Sequence, residues 1–89
     1  MRQPIFQPAL LRDLKRIKKR GRDIEKLLAV VRLLARDGKL AAQYRPHKLG
    51  GEWQGLWECH IQQDWLLVYK VDESQVLLFR TGSHTDLFG

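Results

Sequence analysis

Cysteine is almost missing from this 89-residue chain. The single Cys59 excludes any internal disulfide, so stability must come from packing, and the chain suits a reducing cytoplasm. Long apolar runs are missing as well. The longest, Leu27 to Val31, is far short of the roughly 20 residues a membrane span needs, so no membrane role is expected. The opening MRQPIFQPAL lacks the apolar core and small-residue cleavage site of a secretory signal. Metal-binding spacings are absent: there is no H-x-x-x-H and no C-x-x-C. Gly50-Gly51 is not part of a G-x-x-x-x-G-K-[ST] phosphate loop. No metal or cofactor is therefore expected. No repeat, low-complexity stretch or linker divides the chain, which reads as one domain over 1–89.

Positive charge is in excess, and it is uneven. Residues 1–50 carry 14 Lys and Arg against 4 Asp and Glu, whereas residues 51–89 carry 2 against 6. The net +6 is thus a basic block joined to a mildly acidic half. That distribution suits a polyanion-binding face, or equally the solvated side of helices.

Apolar periodicity divides the chain in the same place. Pro4 and Pro8 confine Ile5 and Phe6 to a short edge strand. Pro8 is also placed to open a helix. Leu10, Leu14 and Ile17 recur at helical spacing until Gly21, with Lys15, Arg16, Lys18, Lys19 and Arg20 on the other faces. Asp23 is a candidate cap for a second helix. Its stripe is Ile24, Leu27, Leu28, Val31, Leu34 and Ala35, and Asp37-Gly38 closes it. The short connection makes the two helices an antiparallel hairpin. Residues 39–51 read as a long loop, and such loops are often functional.

Beyond the loop the period falls to two. LWECHI, WLLVYKV and QVLLFR, joined by the short QQD and DES, predict an antiparallel meander. One face would carry Trp57, Cys59, Ile61, Trp65, Leu67, Tyr69, Leu77 and Phe79, an apolar surface for the helix hairpin. The other would carry Glu58, His60, Lys70 and Arg80 among aliphatics, which puts Arg80 on the same face as His60.

The ionisable groups suit metal-free RNA cleavage through the strand's own 2′-hydroxyl. That reaction needs a base for the hydroxyl proton, a cation for the phosphorane and an acid for the leaving 5′-oxygen. Histidine serves as base or acid near neutral pH, and arginine's fork matches phosphate oxygens. The candidates are His47 in the loop, His60 on a strand, His84 in the tail and Arg80.

The spacing of these residues is specific. H-x-L-x-G-x-W-x-G, then H-I-x-x-D-W-L-L-x-Y-K, then R-T-G-x-H-x-x-L-F run in order over 47–89. This pattern resembles the YafQ branch of the RelE/ParE superfamily of bacterial toxin–antitoxin toxins. The resemblance implies an α+β fold, with an N-terminal strand and two helices packed on a curved antiparallel sheet. It implies an mRNA endonuclease acting in the ribosomal A site and silenced by a cognate antitoxin. It also implies site residues His47, His60, Asp64, Arg80 and His84, with Trp65 and Phe88 at the same site. Base and acid roles stay open among the histidines and Asp64. Packing is the competing role for Trp65, and pinning the tail is that for Phe88. Lys48, Lys15, Arg16, Lys18, Lys19, Arg20 and Arg22 are candidate RNA contacts, the ribosome being a large polyanion. Two other functions stay open: a non-catalytic gyrase inhibitor of the ParE kind, and a basic RNA-binding module without chemistry. The tail 80–89 is expected to be ordered and to form half of the site.

Overall fold

A computed structural model describes residues 1–89. Strand β1 (Gln3–Phe6) leads through Gln7 into α1 (Pro8–Lys19), with Pro8 in its first turn, and α2 (Ile24–Asp37) follows. The Asp23 side chain accepts the Glu25 N–H at 3.0 Å and caps α2. Gly38, at φ 74°, ends it by donating to the Leu34 carbonyl. The meander is β3 (Trp57–Gln62), β4 (Trp65–Val71) and β5 (Gln75–Gly82).

The long loop is partly structured. It holds a 3₁₀ turn (Ala42–Tyr44) and a two-residue strand, β2 (His47–Lys48), followed by a second 3₁₀ turn (Gly51–Trp53). The chain ends in a short helix, α3 (His84–Phe88). Sheet order is β1-β5-β4-β3-β2. The meander is antiparallel, but β1 runs parallel to β5, so the sheet is mixed. The N-terminal strand therefore lies at the sheet's edge and not on its face.

Both long helices cover one face. Leu10 and Ile17 of α1, and Leu27, Val30, Val31, Leu34 and Ala35 of α2, pack on Cys59, Trp65, Leu67, Tyr69, Val76 and Leu78. The alternation expected for β3 and β4 holds. That for β5 does not: Val76 and Leu78 face the helices, while Phe79 joins the other side. The cause is a bulge. Leu78 pairs with Tyr69 and Arg80 with the adjacent Val68, so Phe79 is an extra residue and the phase of the strand slips. The opposite face is not bare either. Leu66, Val68 and Leu87 form a second small core bordered by Leu49, Trp53, Leu56 and Phe79.

Candidate active site

Strand β2 lies against β3 with His47 opposite Glu58, and His60 follows two residues along the same face. Glu58 is buried between the two rings. Its Oε1 is 3.5 Å from His47 Nε2 and 3.9 Å from His60 Nε2, and the ring centroids are 6.4 Å apart. His47 Nδ1 donates to the Arg45 carbonyl at 2.9 Å, which turns Nε2 toward the carboxylate. The contact is an ion pair when His47 carries both protons. Alternation had put Glu58 on this face without a role; its place between two histidines depends on β2, which the sequence pattern did not reveal.

The tail is folded onto this region. Ser83 and Asp86 form a capping box for α3: Ser83 Oγ accepts the Asp86 N–H at 3.0 Å, and Asp86 Oδ2 accepts the Ser83 N–H at 2.9 Å. Arg20 donates twice to Asp86, at 2.6 and 3.1 Å, tying α1 to α3. That guanidinium, with the Ser83 N–H after it, holds the Asp86 carboxyl well below the usual carboxylate range. Gly82 is required where the chain turns, since a Cβ there would lie 2.9 Å from Asp86 Oδ2.

Asp64 occupies the β3–β4 turn at φ 53°, a conformation aspartate tolerates, and its Oδ1 accepts the His84 N–H at 3.0 Å. Phe88 lies edge-on to Trp53, with centroids 5.3 Å apart, and equally close to His84. A pocket of about 310 Å³ is lined by His47, Gly50, Trp53, Glu58, His84 and Phe88. His47 and His84 thus open on one concavity, and His60 approaches Glu58 beside it. No three His, Cys, Asp or Glu side chains are arranged to hold a metal ion.

Several expected positions differ. Arg80 lies opposite Val68 beyond the bulge, but its guanidinium is not free. Its Nε donates to Asp13 Oδ2 at 2.6 Å and its Nη2 to Asp13 Oδ1 at 3.1 Å, at the seam between α1 and β5. Trp65 is 1% exposed, with its indole N–H on Thr81 Oγ1 at 2.9 Å, so it offers no surface to a base and is a core residue. Of the cations in α1 and the turn after it, Lys15, Lys18 and Lys19 are exposed. Arg16 is paired with Asp13 and Arg20 with Asp86, while Arg22 stacks over Trp65 at 5.4 Å and reaches Gln62 and the Gln63 carbonyl. Lys48 is exposed on β2 and lies 5.9 Å from the Trp57 ring. Cys59 is buried among apolar groups, which push its thiol up to about 12 and leave no thiolate for chemistry.

Residues 2–89 match the family described as bacterial toxin of type II toxin–antitoxin system, YafQ. The chain belongs to the YafQ family. It is 38% identical over 79 residues to the mRNA interferase toxin YafQ of Escherichia coli K12, a match covering 88% of this chain and 86% of that one. A crystal structure of YafQ from E. coli superposes over 100% of both chains, with TM-score 0.91 at 32% identity. YafQ in the E. coli DinJ–YafQ complex superposes with TM-score 0.89 at 33% identity, again over 100% of both chains. The α+β fold, with its helix hairpin on one side of an open sheet, is thus that of YafQ toxins. No helix of the chain is long and apolar enough to cross a membrane.

Proposed function

We propose that this protein is an mRNA interferase, an endoribonuclease toxin that cuts mRNA in the ribosomal A site and is silenced in the cytoplasm by a cognate antitoxin. The observation that carries the reading is the shared pocket of His47, His84 and Glu58, with His60 against the same carboxylate. The relative named mRNA interferase supports the activity, and the DinJ–YafQ complex supports an antitoxin partner.

In this mechanism one histidine takes the proton of the 2′-hydroxyl. The oxygen attacks the adjacent phosphorus, the bond to the 5′-oxygen breaks, and a second histidine protonates that oxygen. The products are a 2′,3′-cyclic phosphate and a 5′-hydroxyl. His84 and His47 are the leading pair because they line one pocket. Glu58 orients His47 and His60, and Asp64 places His84 through its backbone. Arg80 supplies the cation: Asp13 holds Nε and Nη2, which leaves Nη1 for a phosphate oxygen. Phe88 offers a stacking surface at the pocket's rim. Lys15, Lys18, Lys19 and Lys48 supply contacts to ribosomal and messenger RNA.

Primer extension on a defined mRNA, with and without ribosomes, tests the proposal. The parent should cut only in the translating mixture, and His84→Ala should slow cutting by about 10²–10⁴-fold, the usual contribution of a positioned acid or base. If the mRNA stays whole while gyrase supercoiling is inhibited, the reading is wrong.

A further inference from the structure

A second concavity adjoins the histidine cluster. It holds about 600 Å³, within the range of ligand sites, and lies between the Ala42–Tyr44 turn and the β3–β4 hairpin. His60 and Asp64 form one wall, and the rest of its polar lining is Gln43, Arg45, Gln62 and Gln63. Gln43, Arg45 and Gln63 are exposed. Gln62 Oε1 accepts from Arg22 Nη1 at 3.4 Å, which presents its amide NH₂ as the free end. Arg45 sits in the left-handed region at φ 49°, and its carbonyl orients His47. The turn that shapes this pocket therefore also sets the ring of a proton-transfer histidine.

The two concavities flank one carboxylate. The smaller holds His47 and His84 with the Trp53–Phe88 aromatic pair; the larger holds His60 with three amides. Glu58 bridges His47 and His60 between them. A strand cut at this point has one base on each side of the scissile phosphate. An aromatic seat accepts any base by stacking. Amides differ: each presents a donor and an acceptor, the complement of an unpaired base edge.

We infer that the larger pocket is a nucleobase subsite, where Gln43, Gln62 and Gln63 hydrogen-bond the edge of one unpaired base flanking the scissile phosphate and give cleavage its base preference. Arg45, at its rim, takes the neighbouring phosphate. This subsite rests on the ribonuclease reading above.

The test is sequencing of cleavage ends from a mixed mRNA pool in a translating extract, comparing the parent with Gln43→Ala/Gln63→Ala and with Gln62→Ala. Thermal melts establish that each variant is folded, and the single changes Gln43→Ala and Gln63→Ala stand in if the double variant is not. The expected result is an about tenfold loss of discrimination at one position beside the cut, since a good amide–base pair discriminates by that order. Cutting elsewhere in the pool should continue. Unchanged preference, or an equal loss at every site, overturns the subsite and leaves the ribonuclease reading standing. No cutting by the parent overturns both.

Discussion

Single residues carry most of the information at the site. The order His47, His60, Asp64, Arg80, His84 is visible in the sequence because each lies at fixed spacing within a recognisable pattern. Their partners are not. Asp13 sits at i+3 from Leu10, on the buried face of α1, where an apolar residue is the ordinary expectation. Its carboxylate accepts from Arg80 Nε and Nη2, from the Thr81 N–H at 3.1 Å and from Arg16 Nη2 at 2.9 Å. Removing one member of a buried pair leaves the other uncompensated. Asp13→Ala should therefore destabilise the protein by about 3 kcal/mol in urea unfolding, the low end for such pairs because Arg80 is 30% exposed. A loss under about 1 kcal/mol would show that the network contributes no more than a surface pair. Cys59 gives a second prediction at this scale. With its thiol pushed up to about 12 by burial, it should resist thiol reagents near pH 8 and label only as fast as the chain opens.

Elements of ordinary length were legible, and the shortest were not. The two helices and three strands of the meander follow from their apolar periods and the polar connections between them. Strand β2 has two residues and α3 has five, too few for any period to show. Helix α3 persists because Leu87 packs on Leu66 and Val68 while the capping box and Arg20 hold its start. The Asp86 carboxyl is lowered, so its stabilisation is fully present above the unfolded value near 3.9 and is lost as pH falls toward the lowered value. The protection factor of the Leu87 amide, which removes the intrinsic pH dependence of exchange, should therefore fall in acid below about pH 4, and Asp86→Asn should remove that dependence. Ser83→Ala should weaken the same helix by about 1 kcal/mol at any pH, through loss of the cap.

The whole molecule has a basic face and a histidine-bearing face on one sheet. The cations of α1 lie on the layer that covers one side; the histidines lie on the other side and its rim. On the proposed function, substrate attraction and chemistry would be separated. Binding to single-stranded RNA should weaken with salt, because each neutralised phosphate releases counterions. The triple change of Lys15, Lys18 and Lys19 to Ala should reduce the log–log salt slope by about 2, at roughly 0.7 per phosphate. An unchanged slope would move the RNA surface elsewhere. Arg16, Arg20 and Arg22 are held by intramolecular partners, and single substitutions there should act mainly through stability.

Local pattern by itself determined the helix hairpin, the meander, the alternation of β3 and β4, and the basic half, since each depends on neighbours three to four residues apart or on strict alternation. Only the tertiary structure decided where those neighbours stop mattering. The parallel pairing of β1 with β5 joins residues some 70 positions apart, and no local signal encodes it. The bulge at Phe79 depends on the partner strand, and only the folded chain brings the Arg80 guanidinium to Asp13 on α1. The Glu58 bridge exists because β2 lies beside β3, and the ordered tail exists because Asp64, Arg20 and the second core all converge on α3. Spacing selects the candidate residues of this site, whereas contacts between distant segments set which of them meet.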